Sequence, residues 1–470
     1  MSSSHRSAWE DLPPEVFEQT LAYMDDDSML TLARVNRFFN YTALDLFLGA
    51  KIMNCIFQES KFSNVLYKGL ARPKASEGLR LSLRVQQLEH IHFRPSNRSS
   101  LSEMQSLKPF IQRISALKSL QLELRETRSD DDAVGFNLAR AAAELCDSAV
   151  AKGCETLKLE RLLSFTRLTK DPYPVSILYA PESSSITRNL FCVHLCGAFL
   201  LSPLLTYTSG LLGTYSTTIR RLRFDASTIV VPKLNWDQLF SSLHLPNLET
   251  FLFDNLVHTR LASSCLADFL SRHPTITTLR IYCGLLRTHD IALHATKPPV
   301  LPNLLKIEGS RGIITWLFRD SSACVNVQEV VIPHVEDPTE VLHSVVGPAR
   351  NPSDSLKVVI KLNPLLRLWL DWMTKQIEKK DNSLRDVRLV NLTFRFDCSI
   401  SSLDQKSICC LAQFVALFPT LRHFEAVRPS ADATDEVAIA EKNLCDNVFQ
   451  FCPNLQTFTF SSSDPDSFSV

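Results

Sequence analysis

Glycine is scarce, 12 in 470 residues. A chain so poor in glycine has little backbone for the tight, left-handed turns of an extended phosphate-cradling loop. No Gly-x-Ser-x-Gly elbow and no Gly-x-x-x-x-Gly-Lys loop occurs, and the nearest approach, Gly210 with Gly213-Thr214, lacks the lysine. Excess charge is missing too. Lys+Arg and Asp+Glu both number 50, which removes the electrostatic basis for a nucleic-acid or membrane-surface role. The longest apolar run, Leu190 to Leu205, is broken by His194, Ser202 and Pro203 and falls short of a bilayer span. The first residues, Met1 to Arg6, lack the apolar centre of a secretory signal. The 13 cysteines are scattered from Cys55 to Cys452 in a chain that is 45% hydrophobic, so the core needs no disulfide framework. These absences lead us to expect a soluble protein of a reducing compartment, cytoplasmic and/or nuclear, with no nucleic-acid and no membrane partner.

Metal and catalytic constellations are equally thin. Cys192, His194 and Cys196 alternate along a possible strand, but a structural zinc site takes four ligands from spaced knuckles. They read as small side chains of a core. Cys409-Cys410, His90-x-His92 and His289-Asp290 are read the same way, because none comes with a base, a nucleophile and an orienting group in one place. We expect no metal, no cofactor and no enzymatic activity of the chain's own.

What is present begins within the first fifty residues. Leu12-Pro13-Pro14-Glu15-Val16 opens three short segments of helical period, Val16 to Met24, Met29 to Val35 and Phe38 to Leu48. Pro14 suits a first helical turn, where its missing N–H costs nothing. Asp27 or Ser28 is placed to cap the second helix. Apolar residues at 16, 17, 21 and 24, then at 29, 30, 32, 33 and 35, give more apolar surface than about fifty residues bury alone. Some of it should meet another chain or a larger fold that these helices cap.

This stretch resembles an F-box. The likeness is carried by Leu12, Pro13, Glu15, Val16, Leu21 and Met24, then by Leu30, Leu32, Val35, Arg37, Phe38, Phe39 and Ala43 after the acidic turn Asp25-Asp26-Asp27. Met24 stands where a leucine is common and Asn36 where a cysteine or serine is common; neither adds a buried charge. The resemblance implies docking on the small Skp-family adaptor of SCF (Skp, cullin, F-box) ubiquitin ligases. On that basis Leu12, Pro13, Val16, Leu21, Met24, Leu30, Leu32 and Val35 are the adaptor-binding residues, and a cullin with its RING partner joins through the adaptor. An ordinary three-helix N-terminal cap is the alternative.

Beyond residue 84 a phrase of the form apolar-x-x-apolar-x-apolar recurs, often after Pro and Asn. Its clearest copies are Pro246 to Phe253, Pro274 to Ile281 and Pro453 to Phe460. Others begin at Leu88, Leu117, Cys154, Leu190, Ile219, Leu304, Val327, Leu356, Leu384 and Leu421, with a commonest step near 28 residues. The closing apolar-x-apolar alternates as a short strand does. Segments of helical period, such as Trp236 to His244 and Cys265 to Arg272, would return the chain to a parallel neighbour. The pattern resembles a leucine-rich repeat, with Phe, Val and Ile often replacing leucine and the asparagine after the strand mostly absent.

The expected fold class is therefore α/β, an N-terminal three-helix F-box followed by an irregular horseshoe of parallel strands alternating with helices. Its parts are residues 8–50, a capping helical segment at 51–83, the repeats at 84–460 and a frayed tail at 461–470. Lys170 to Ser185, Leu285 to Pro299 and Val427 to Val437 read as insertions or long loops. In such a horseshoe the residue between the last two apolar positions faces outward. Lys158, Arg223, Arg280 and Arg388 would then form a basic stripe, among His92, Gln121, His194, Glu308, Glu425 and Thr459, suited to an acidic or phosphorylated protein substrate. The expected function is substrate recognition in an SCF-type ubiquitin ligase, or alternatively a repeat scaffold acting outside one.

Overall fold

A computed structural model describes residues 13–48, 65–66, 75–83, 88–93, 95, 100–123, 132–160, 189–200, 204–226, 236–255, 262–283, 296–320, 322–333, 338–346, 355–362, 366–379, 383–396, 403–429 and 435–463. They fall into two compact units. The first comprises residues 1–234, 242–247 and 257–259, the second 235–241, 248–256 and 260–470.

The first unit opens with helices α1 (Pro14–Ala22), α2 (Asp26–Leu32) and α3 (Arg37–Leu48). Pro14 occupies the first helical turn of α1, as its sequence position suggested. The cap of α2 is Asp25, not Asp27 or Ser28: its carboxylate accepts from the Ser28 N–H at 2.7 Å. Asp27 and Ser28 already lie inside the first turn, and only the residue ahead of it can reach back over the free N–H groups. Asn36 does the same for α3, accepting from the Phe39 N–H at 2.9 Å. Phe17 is buried against the rings of Phe38 and Phe39, with centroids 5.5 and 5.6 Å away.

A short helix α4 (Ala75–Leu81) packs on α3. Gly78 permits the approach, because a Cβ there would lie 2.7 Å from Phe47 Cε1. Buried Asn40 ties the same elements together. Its amide donates to the carbonyls of Ala33 and Leu81, both at 2.9 Å, and its oxygen accepts from the Leu83 N–H at 3.1 Å. The rest of the expected capping segment lies outside the described residues, apart from strand β1 (Val65–Leu66).

From β1 the first unit continues with β2 (His90–Phe93), β3 (Ser119–Glu123), β4 (Thr156–Glu160), β5 (Cys192–Cys196) and β6 (Arg221–Asp225). Each pairs with the next in parallel. Helices α5 (Ser100–Arg113), α6 (Asp132–Ala151) and α7 (Leu205–Thr214) make the crossovers. Gly153 ends α6 with φ +82°, and its N–H returns to the Val150 carbonyl at 3.0 Å.

The second unit contains β7 (Thr250–Asn255), β8 (Thr278–Cys283), β9 (Lys306–Gly309), β10 (Glu329–Ile332), β11 (Lys357–Leu362), β12 (Asn391–Phe396), β13 (His423–Pro429) and β14 (Thr457–Ser463), again paired in sequence order and in parallel. Its helices are α8 (Trp236–Ser242), α9 (Ser263–Ser271), α10 (Arg311–Phe318), α11 (Thr339–Val346), α12 (Leu366–Glu378), α13 (Gln405–Val415) and α14 (Asp435–Phe451). The fold class is α/β, with parallel strands alternating with helices.

The apolar phrase locates nearly every strand. In register, the inward pairs Ile91/Phe93, Leu120/Leu122, Leu157/Leu159, Val193/Leu195 and Leu222/Phe224 are buried in the first unit, as are Phe251/Phe253, Leu279/Ile281, Val358/Ile360 and Leu392/Phe394 in the second. Trp236, Phe240, Phe251, Phe253 and Phe269 form one aromatic cluster, Trp236 and Phe253 edge to face at 4.8 Å. The phrase slips twice: the copy read from Leu356 is one residue late, since Val358 and Ile360 rather than Val359 and Lys361 form the inward pair. Leu384 begins a 3-10 turn (Ser383–Asp386), and the strand starts at Asn391, because Leu389-x-x-Leu392-x-Phe394 is the copy with the right burial. Two expected boundaries also move. Within Val427 to Val437, β13 runs to Pro429 and α14 starts at Asp435, with 430–434 outside the described residues, and the supposed tail from 461 is strand through Ser463. Lys170 to Ser185 lies outside the described residues.

The residue just before each phrase has a repeated task. Asn247, Asn303, Asn326 and Asn454 donate their amides to the carbonyls of Thr217, Pro274, Pro302 and Pro419, each in the preceding turn, at 2.7 to 3.3 Å. Thr218, Thr275 and Thr420 do so through hydroxyls, to Leu190, Leu248 and Leu389. These bonds satisfy turn carbonyls that lie beyond the strand ladder and fix the rise from one repeat to the next.

Candidate protein-interaction surfaces

Two surfaces collect the residues singled out from sequence: the three N-terminal helices and the outward face of the strands. On the helices, Leu21 and Leu30 are buried, at 1% and 3% exposure, and hold α1 to α3 together. Met24 and Leu32 are half-buried. Pro13, Val16 and Val35 face solvent, Val16 at 45% and Val35 at 63%. Leu12 lies outside the described residues. Sequence reading did not single out Tyr23 and Tyr41, nor Phe38 as a contact residue, yet all three are exposed, Tyr23 at 92%. Phe38 and Tyr41 stand three residues apart on α3, a spacing that puts them on one face. So much exposed aromatic and aliphatic surface on a small module is the usual mark of a docking site.

On the strands, pairing register places the expected outward residues in rows. In the first unit His92, Gln121, Lys158, His194 and Arg223 are consecutive partners across β2 to β6. The next row carries acids: His92 Nε2 stands 3.6 Å from Glu123, and Arg223 contacts Asp225 at 3.3 Å. Together the two rows set basic side chains beside carboxylates.

In the second unit the corresponding row is Leu252, Arg280, Glu308, Val331, Val359, Thr393, Glu425 and Thr459. Arg388 is not in it. It precedes β12 and is exposed, because the phrase it was read from is the 3-10 turn; Thr393 takes its place. Arg280 forms a two-pronged pair with Asp254, Nε to Oδ1 at 3.1 Å and NH2 to Oδ2 at 2.5 Å. Lys361 on β11 reaches across β10 to Glu308 on β9, where Tyr282 also donates its hydroxyl. Lys357 reaches the other way across β12 to Glu425 on β13, at 2.6 Å, and Thr393 and Ser461 also donate to that carboxylate. Each lysine spans one intervening strand, and beneath these spans Val331, Val359 and Thr393 are nearly inaccessible.

The electrostatics follow. Burial pushes the Glu308 carboxyl up, but the charge and hydrogen bond of Lys361, with Tyr282 and Arg280, outweigh it and leave the group below its ordinary value. Glu425 is likewise raised by burial and drawn lower overall by Lys357, Ser461 and Thr393. Burial, then Glu308, pushes the Tyr282 phenol up, so Tyr282 stays a donor. The expected basic stripe is, in this unit, a row of charges paired within the sheet.

Of the remaining candidates, His289 and Asp290 lie outside the described residues, and the cysteines around His194 sit in the sheet. The Cys196 thiol donates to the Leu159 carbonyl at 2.6 Å, and burial pushes the Cys154 thiol up to about 12 and raises Cys192 as well. A neutral thiol is a poor nucleophile. Among the described residues no cluster of His, Cys, Asp and Glu is placed to hold a metal ion, and no helix is long and apolar enough to cross a membrane. A scan against protein-family models gives no match, and a search of curated proteins gives none either. The functional reading rests on the chain's own residues.

Proposed function

We propose that this protein is the substrate-recognition subunit of an SCF-type ubiquitin ligase. Its N-terminal helices act as an F-box that docks on a Skp-family adaptor, the adaptor joins a cullin and its RING partner, and the repeats hold a target protein. The observation that carries the reading is the apolar surface left on α1 to α3. Leu21 and Leu30 close the module's own core, while Val16, Tyr23, Val35 and Tyr41 stay outside it and Phe38, packed on Phe17, leaves about half its surface exposed. That division suits a partner chain laid over the module. Within each unit, strands about 4.8 Å apart back onto helices about 10 Å across, so the repeats bend with the sheet inward in the manner of a leucine-rich horseshoe. The chain does no covalent chemistry; it converts an encounter between target and charged conjugating enzyme into an effectively intramolecular one. Such a receptor works in the cytoplasm and/or nucleus.

Affinity purification of the tagged chain from cells tests this. Wild type should retain adaptor and cullin, and Val16→Glu with Val35→Glu, both exposed positions, should lose both while keeping its circular dichroism spectrum. Transfer of ubiquitin by the purified chain without adaptor and cullin would overturn the proposal.

A second reading has its own support. Asn40 bonds to both Ala33 and Leu81, and Arg34 pairs with Glu77 at 2.5 Å, building the three helices into the first repeat as a cap. A scaffold of this design would bind a partner through its repeats and leave cullin behind in the same purification.

A further inference from the structure

We infer that the outward face of β2 to β6, centred on β5, seats an acidic segment of the bound target, a run of carboxylates on an extended chain lying across the strands. The inference rests on the repeats holding a partner protein, which both readings above share. Register sets two outward rows on this face. The first is His90, Ser119, Thr156, Cys192 and Arg221, the second His92, Gln121, Lys158, His194 and Arg223. Histidine, lysine and arginine recur in these rows and no carboxylate does; the acids Glu123, Glu160 and Asp225 come one row further along. The matching rows of the second unit carry Glu308, Glu329 and Glu425, each closed by a lysine of its own sheet.

The positive groups meet around Cys192. It lies on β5 between Thr156 and Arg221, and the next outward residue of its strand, His194, stands between Lys158 and Arg223. Burial pushes the Cys192 thiol up, while the charges of Lys158 and Arg221 both draw it down. A negative charge brought to this point by a ligand therefore gains from two cations on different strands. Those cations are open to a partner: Arg221 is exposed, Lys158 is half-buried, and the Arg223 side chain is 30% exposed even with Asp225 beside it.

A run of carboxylates fits this face better than a single phosphate. Strands stand about 4.8 Å apart, so the basic side chains from β2 to β6 spread over roughly 19 Å. His92 and Arg223, at the two ends, are each drawn toward the third row, by Glu123 at 3.6 Å and Asp225 at 3.3 Å, which keeps them from turning to one common point. A phosphate collects its donors at one point. An extended peptide of about six residues covers the full width and offers carboxylates to the cations in turn.

Fluorescence anisotropy of a labelled octaglutamate peptide, titrated with the full-length chain, tests this. Wild type should bind saturably and lose affinity as salt rises. Lys158→Ala with Arg221→Ala should weaken binding about tenfold. Cys192→Asp, which sets a carboxylate of the chain's own between the two cations, should block the peptide with both cations in place. Lys306→Ala, on the corresponding row of the second unit, should change nothing, and every variant should keep the wild-type circular dichroism spectrum. No binding by wild type, binding unaltered in either first-unit variant, an equal loss in Lys306→Ala, or displacement of the peptide by inorganic phosphate at constant ionic strength would each overturn the inference. Adaptor binding is read separately: its failure with the peptide still bound would sink the receptor reading and leave the acidic-segment site standing.

Discussion

The two units repeat one plan and solve the outward face of the sheet differently. In the first, registered strands are 29, 37, 36 and 29 residues apart from β2 to β6, with room for the twenty-residue helix α6. In the second, from β7 to β11, the steps are 28, 28, 23 and 28. The first unit sets basic side chains beside acids one row along, on the same or the next strand, as in His92 with Glu123 and Arg223 with Asp225. The second does so too, at Arg280 with Asp254, and in addition pairs charges across a whole strand, Lys361 with Glu308 and Lys357 with Glu425. A charge that bridges two strands away does structural work and gives up availability to a ligand. A recognition role for charge is therefore better supported on the first unit's rows than on the second's.

Four measurements would break or sharpen that contrast. Phe240→Ala removes the ring that touches Trp236, Phe251, Phe253 and Phe269, and should cost about 4 kcal/mol in urea unfolding. Hydrogen exchange should place the loss in the second unit; equal loss of protection in both would mean that the units do not differ as described. Glu308→Ala strands Lys361 and Tyr282 and should cost about 3 kcal/mol, while Glu308→Leu with Lys361→Met should recover most of that. A double variant no better than the single one would show that the bridge is not what matters at Glu308.

Acid should act on the same groups. The folded forms of Glu308 and Glu425 lie below the ordinary carboxylate value of 4.5, so their contribution is present above it and disappears as pH falls through the folded values. Thermal melts of wild type should weaken from about pH 4.5 downward more steeply than melts of Glu308→Ala. Parallel curves would remove Glu308 from the account. The smallest effect belongs to the first unit. Asp225→Asn should cost less than about 1 kcal/mol, since the Arg223 pair is partly solvated, its side chains 30% and 22% exposed. A cost near that of Glu308→Ala would erase the contrast.

Much of this architecture was legible from residues alone. The apolar phrase marks the strands because inward burial demands alternation, and it went astray at Leu384, where Leu384, Val387 and Leu389 meet the pattern within a 3-10 turn and its exit. Sequence noted Pro-Asn before the phrase without its purpose. The purpose is a bond to the preceding turn, and hydroxyls at Thr218, Thr275 and Thr420 serve equally, so the letter varies while the bond stays. Asp25 was missed as a cap because three aspartates in a row offer three candidates and geometry selects one. The pairing of Lys361 and Lys357 had no local signal. Its partners lie 53 and 68 residues away, and only register sets which strands stand two apart.

The central claim concerns the N-terminal helices, and calorimetric titration of the purified chain with a purified Skp-family adaptor tests it most directly. The account predicts saturable binding by wild type, loss of it in Val16→Glu with Val35→Glu, and full retention in Lys158→Ala with Arg223→Ala on the sheet face. No heat of binding with wild type, or equal binding by the Val16→Glu, Val35→Glu protein, would contradict it and leave α1 to α3 as a cap.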